Sequence, residues 1–166
     1  MNKQFITGPK PDEKMVNIKN VTNIAFEEYV DRNGKDTYKT IMNFDYNVSL
    51  KQDYSKHVPD YQYFITHDKE EHQDYMDQMS GLINDHGWLA PRVSGNINRI
   101  INPDKISFIA TDERKNRIIF NIATTVTFYS NNTRKTSDFI YVDFPTLEEF
   151  KSEYLYLKDQ LNSRVL

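Results

Sequence analysis

Met42-Asn43-Phe44-Asp45-Tyr46-Asn47-Val48-Ser49-Leu50 falls on Phe120-Asn121-Ile122-Ala123-Thr124-Thr125-Val126-Thr127-Phe128 when the chain is slid against itself by 78 residues. Both stretches alternate apolar with polar or small side chains, the period of a strand with one buried face. At the same offset Tyr61-Gln62-Tyr63-Phe64 falls on Phe139-Ile140-Tyr141-Val142, and Glu70-Glu71 on Glu148-Glu149. Met76, Met79 and Ile83 then fall on Tyr154, Leu157 and Leu161. An offset of 82 brings Ile18, Ile24 and Phe26 onto Ile100, Ile106 and Phe108, as a hairpin four residues longer in the first copy would require. Identities are few. The signal is the ordered agreement of pattern, and it reads as an internal duplication.

Each repeat reads as three strands and a helix. In the second, Lys105 to Thr111 and Arg117 to Tyr129 are strands around the turn Asp112-Glu113-Arg114-Lys115-Asn116. A polar turn from Ser130 to Thr136 leads to a third strand, Asp138 to Phe144, ended by Pro145. Thr146-Leu147-Glu148-Glu149 has the form of a capping box. Leu147, Phe150, Tyr154, Leu157 and Leu161 make one helical apolar stripe. In the first repeat, Val16 to Glu28 and Tyr38 to Leu50 flank the turn Asp31-Arg32-Asn33-Gly34, and Tyr61 to Thr66 is the third strand. Asp68 or Thr66 caps a helix with the stripe His72, Met76, Met79 and Ile83, its end bracketed by Gly81 and Gly87.

The expected fold is α+β: two β-β-β-α units, an antiparallel sheet with both helices packed on it, and a pseudo-two-fold axis. Residues 1–14 form an extended N-terminal arm, 15–86 the first repeat, 87–96 a linker and 97–166 the second repeat, all in one compact domain. A single unit of this size buries a marginal core, which pairing with the other would complete.

Composition removes several classes of function. The chain of 166 residues has no Cys, hence no disulfides, thiolate metal ligands or Cys nucleophile. No apolar run is long enough to span a membrane, and Met1 to Lys14 lacks the apolar core of a signal peptide. Together these features point to the cytoplasm. Residues 1–85 carry 10 basic and 15 acidic side chains, and residues 86–166 carry 11 and 9, which sums to the net charge of -3. That balance is not the basic footprint of a nonspecific nucleic-acid binder.

Catalytic chemistry finds little support. His67, Asp68, Glu70, Glu71, His72 and Asp74 crowd one helix start, but His67 and His72 are five apart and miss the spacing that shares a helical face. Carboxylates in a first turn are what the helix dipole prefers, and His72 aligns with the core position Phe150, so a histidine packing its ring is expected instead of a metal ligand. Asp85-His86 and His57, the latter in a polar loop beside Pro59, have no serine elbow to serve. The five glycines are scattered and form no phosphate-binding loop. The expectation is a non-enzymatic protein with no cofactor and no metal.

The aromatics are more informative. Tyr61, Tyr63, Phe139 and Tyr141 share one face of the third strands, opposite Phe64, Ile140, Val142 and Phe144. That face is either buried between the repeats or beneath residues 1–14, or it binds a partner, a use that enriches Tyr and Phe. Asp68, Glu70, Glu71 and Asp74 form an acidic helix start able to dock on a basic surface. Arg114, Lys115 and Arg117 at one hairpin tip, with Arg134 and Lys135 at the next, are candidates for contacts with phosphate or an acidic partner.

Usage rich in Lys, Ile and Asn, with 16 Asn, resembles that of AT-rich bacterial, phage or plasmid genes. Small, acidic, cysteine-free domains of this kind resemble phage early proteins that bind and redirect host machinery. No family motif accompanies the resemblance, so it assigns no residue a role. The expected function is binding, with possible inhibition, of a host protein through the aromatic sheet face or the acidic helix. The alternative is a nucleic-acid-binding module whose strand aromatics stack bases while the basic tips track phosphates. Self-association through the third strands as sheet edges is a further expectation.

Overall fold

In a computed structural model, residues 5–7, 15–49, 57–127 and 133–164 are described. Among the described residues the fold is α+β, with antiparallel sheets and two helices. β1 (Phe5–Thr7) pairs with β2 (Met15–Asn17) in a small ribbon. β3 (Val21–Val30), β4 (Asp36–Ser49) and β5 (His57–Thr66) form an antiparallel meander, followed by α1 (Lys69–His86). A hairpin of β6 (Arg92–Val93) and β7 (Asn96–Ile97) precedes β8 (Arg99–Ile101). β9 (Ile106–Asp112), β10 (Arg117–Thr127) and β11 (Thr133–Asp143) form a second meander, followed by α2 (Leu147–Asn162).

The central strands β4 and β10 outrun their first partners. β3 leaves β4 at Phe44 and β9 leaves β10 at Ile122. On the vacated sides the two tails meet in parallel, with Thr125 opposite Tyr46, Val126 opposite Asn47 and Thr127 opposite Val48. This short parallel junction fuses the meanders into one seven-stranded sheet. The other edge of β3 takes β8, with Ile24 opposite Ile100.

Two cores result. In the first, Ile24, Met42 and Phe64 pack against Tyr75, Met79 and Leu82 of α1, and Trp88, Ala90 and Ile100 close it. In the second, Ile118, Phe120 and Ile140 pack against Phe150 and Leu157 of α2, closed by Leu89 and Ile101. Met42 and Phe120, at the two centres, are both 0% exposed. Because extended backbone sends successive side chains to opposite faces, residues 88–90 and 100–101 each serve both cores. Leu89 and Ile101 exchange backbone hydrogen bonds of 2.9 and 2.7 Å, which holds this shared wall together.

Local chemistry sets the element ends, and it corrects several sequence expectations. Part of the presumed arm is strand β1. Val16 to Glu28 is not one strand. The Asn17 side chain accepts the Lys19 N–H at 3.0 Å and turns Ile18–Asn20 into a 3-10 helix. Asn102 does the same for Pro103–Lys105 ahead of β9, so matched caps lie 85 residues apart and not 82. Ile100 instead stands beside Ile24 in β8. His57 lies in β5 and not in a loop, and Pro59 is accommodated because, among the described residues, β5 has a partner on one side only. β11 begins at Thr133, five residues before the expected start. Ser130 to Asn132 and Tyr129 lie outside the described residues.

Helix α1 is capped by Asp68, whose Oδ1 accepts the Glu70 N–H at 2.8 Å and the Glu71 N–H at 3.3 Å. Its buried stripe is His72, Tyr75, Met79 and Leu82; Met76 and Ile83 sit at its margin, so the face is rotated by about one position. Gly81 is inside the helix, and Gly87 alone ends it, at φ 62°. On α2, Thr146 Oγ1 accepts the Glu149 N–H at 3.1 Å, but Leu147 is exposed. Glu149 does not complete a capping box. Its carboxylate accepts the Ser94 N–H at 3.1 Å, and Glu153 accepts the Arg92 N–H at 3.0 Å, pinning the β6–β7 hairpin to α2. No helix among the described residues is long and apolar enough to cross a membrane.

Candidate partner-binding surface

The aromatics singled out on the third strands lie on the outer face of the sheet, away from α1 and α2. Tyr61 and Tyr63 on β5 are 41% and 50% exposed, and Phe139 and Tyr141 on β11 are 45% and 53% exposed. Residues two apart on a strand share a face, and here their rings meet: Tyr61 and Tyr63 at 6.0 Å, Phe139 and Tyr141 stacked at 6.3 Å.

Each pair has a cation from the neighbouring central strand. Lys39 Nζ lies 4.9 Å from the Tyr63 ring centre, and Arg117 Cζ lies 4.6 Å from that of Tyr141. The register explains the match. Ile41 is opposite Tyr63 and Asn43 opposite Tyr61; Ile119 is opposite Tyr141 and Asn121 opposite Phe139. Lys39, Ile41, Asn43, Tyr61 and Tyr63 therefore each have a counterpart 78 residues later, in the same place on the other meander. Lys39 was not evident as a site residue from composition or motif, although the same offset that aligns the strands aligns it with Arg117.

The two patches differ at their flanks. In the second, Phe108 of β9 stands opposite Asn121 and adds an exposed ring. In the first, Asn23 of β3 stands opposite Asn43 and is buried, its Oδ1 accepting from Arg99 Nη1 at 2.6 Å and from Asn43 Nδ2 at 3.1 Å. Burial lowers the Arg99 pKa, while the charges of Glu27 and Asp138 oppose that shift. A cavity of about 230 Å³ lies alongside, between Ala25 and Glu27 of β3, Arg99, and the Tyr141–Asp143 end of β11.

In the second patch the cation is paired with a carboxylate. Arg117 makes a two-point contact with Asp143, Nε to Oδ1 at 2.5 Å and Nη2 to Oδ2 at 2.8 Å. Their hydrogen bond raises the Arg117 pKa and lowers that of Asp143. The basic residues do not form one surface. Arg114 and Lys115 are exposed in the β9–β10 turn, near Arg117. Arg134 and Lys135 pair with Val126 and Thr125, at the far end of β10. Arg117 and Thr125 are eight positions apart along the strand, a distance of roughly 26 Å at about 3.3 Å per residue. The side chains of Arg134 and Lys135 fall outside the described part.

The acidic helix start is partly committed to structure. Asp68 is the cap, and Glu71 accepts from Thr66 Oγ1 at 2.5 Å. Glu70 and Asp74 are exposed. Among the described residues no group of three His, Cys, Asp or Glu is placed to hold a metal ion. His72 is 3% exposed, its ring stacked on Tyr38 at 5.1 Å and edge-on to Phe26 at 6.2 Å. His67 Nδ1 lies 3.1 Å from the Asp36 carbonyl oxygen and 3.3 Å from Thr37 Oγ1. A second cavity, about 480 Å³, opens between the helix C-termini beside His86, Trp88 and Arg164, where the Arg164 guanidinium donates to the Gly87 carbonyl. Comparison of the chain with known protein families, with curated proteins and with solved structures returns no match.

Proposed function

We propose that the chain is a duplicated, non-enzymatic protein-binding domain whose two aromatic–cation patches engage a macromolecular partner of the host, consistent with an inhibitory, phage-like role. The observation that carries this reading is the recurrence of one exposed constellation, Lys39 with Tyr61 and Tyr63, then Arg117 with Phe139 and Tyr141. Exposed tyrosine and phenylalanine bury area at small entropic cost, which suits them to protein interfaces. The duplication draws its support from the constant 78-residue offset through β4, β5 and α1, the matched 3-10 caps, and the parallel junction of the corresponding strands β4 and β10, whose register lies one residue from that offset. A two-fold axis running along that junction would exchange the meanders.

Nucleic-acid binding is the weaker reading, because Asp143 neutralises Arg117 and the other basic residues lie at opposite ends of β10. The test compares wild type with a Tyr63→Ser/Tyr141→Ser variant as bait in host lysate, alongside oligonucleotide binding by anisotropy. The expected result is a stoichiometric protein retained by wild type, lost by the variant, and no oligonucleotide binding at low salt. Salt-sensitive oligonucleotide binding, or capture that is indifferent to both tyrosines, would overturn the proposal.

A further inference from the structure

We infer that the open edge of β11 pairs with the same edge of a second copy of this chain, joining two sheets into one. Among the described residues, β5, β9 and β11 each have a strand neighbour on one side only, and β9 is short, with a register break against β10 between Asn121 and Ile122. Their edges are not alike. β5 is guarded: Pro59 removes a backbone donor, and the register with β4 breaks between Asn43 and Asn47. β11 carries neither device. It contains no proline, and its register with β10 runs unbroken from Arg117–Asp143 to Thr127–Thr133. A long regular edge of this kind is a template for another strand.

The sequence of β11 selects its occupant. The strand begins basic, Arg134-Lys135, and ends acidic, at Asp143. An antiparallel partner related by two-fold symmetry presents the same sequence reversed. The register that sets Phe139 opposite Phe139 of the second copy also sets Lys135 opposite Asp143, twice, so that each Asp143, already holding Arg117 of its own chain, gains a second cation across the seam. Centring on Asp138 instead would place like charges opposite each other, which is unfavourable. Residues directly opposite in a sheet share a face, so Phe139 and Tyr141 of both copies would lie on one continuous aromatic surface. The pairing does not depend on the partner-binding reading, but it would double the area offered at β11.

Sedimentation velocity of the full chain over a concentration series up to the millimolar range tests it. The expected result is a monomer–dimer equilibrium that Phe139→Glu abolishes, by placing two carboxylates at the symmetry centre. Tyr61→Glu, a comparable exposed position on β5, should leave the dimer intact. In wild type, amide exchange in β11 should slow as concentration rises, with no change in β5; this readout stands even if a variant misfolds. A chain monomeric throughout, or one that Tyr61→Glu dissociates as readily as Phe139→Glu, overturns the inference. A monomer that still captures a partner through the tyrosines would remove the pairing alone, and a dimer that captures none would remove the binding reading alone.

Discussion

Ile100 and Ile101 are adjacent in the chain and face different cores, the first packing with Ile24 and Met42, the second with Phe120 and Leu89. One strand thus forms a wall of both halves, and neither core closes without residues that follow α1. Ile100→Ala and Ile101→Ala should each cost roughly 2–5 kcal/mol, since both side chains are fully buried. Calorimetry should show one cooperative transition for wild type and both variants. Two resolved transitions would mean the halves melt independently.

On the helices, Phe150→Ala should cost roughly 3–5 kcal/mol and Met79→Ala roughly 2–5 kcal/mol. Met76→Ala should cost less than Met79→Ala, because Met76 lies at the margin of the first core. Denaturant titration of the three variants checks the order. Equal losses at Met76 and Met79 would refute the rotated face described for α1.

Burial holds the His72 imidazole below its ordinary pKa, with the charge of Glu28 working the other way. The unfolded ring titrates near pH 6.5, or about that value, and so takes up a proton before the folded one. Stability from this group is fully present above that pH and is lost as pH falls toward the depressed folded value. Among the described residues His72 Nε2 has no hydrogen-bond partner, so His72→Phe removes the titration without stranding a polar group there. Thermal midpoints measured from about pH 7.5 to 5 should fall less in His72→Phe than in wild type. Parallel curves would show that other groups carry the acid sensitivity.

Gly87 adopts φ 62°, and a Cβ there would stand 2.8 Å from Arg164 Nη2. Gly87→Ala should destabilise by about 1 kcal/mol from backbone strain, with any further loss set by how readily the flexible guanidinium moves aside. Adding Arg164→Ala should relieve only the crowding. A thermal midpoint unchanged by Gly87→Ala would place the helix end elsewhere.

Tyr63→Ser and Tyr141→Ser should change stability by less than about 0.5 kcal/mol each, as exposed positions generally do. Chemical denaturation measures this directly. A loss of several kcal/mol would mean the rings are structural, and partner loss in those variants could not be read as loss of a surface.

Much of the architecture was legible because period-2 and period-3.6 patterns report which face of each element is buried. β4, β10, α1 and α2 all stand where alternation or helical spacing places them, and Asp68 and Thr146 cap as their residue types suggest. The misses have local causes. Asn17 and Asn102 act through a side-chain-to-backbone bond two residues on, which leaves no mark on apolar periodicity. Polar residues such as Thr133 to Thr136 look like a turn in isolation, yet pairing with β10 makes them strand. Glu149 fits a capping box by spacing, but tertiary structure supplies a competing donor, Ser94 N–H, 55 residues away. The aromatic pairs could be named from the sequence. Their exposure could not, because it depends on what the rest of the chain leaves uncovered.

The parallel contact between the tails of β4 and β10 joins residues 79 apart in sequence. Closing so large a loop for so few backbone bonds is entropically costly and contributes little until both meanders exist. During synthesis the first meander emerges with the end of β4 lacking its eventual neighbour, and it waits for most of the remaining chain. The order of assembly is therefore written into the junction: hairpins first, the seam last. Pulse-labelled exchange during refolding should find those amides of Tyr46 to Val48 that face β10 protected later than the amides of Lys39 to Met42. The same late seam is where two chains refolding at high concentration would exchange halves.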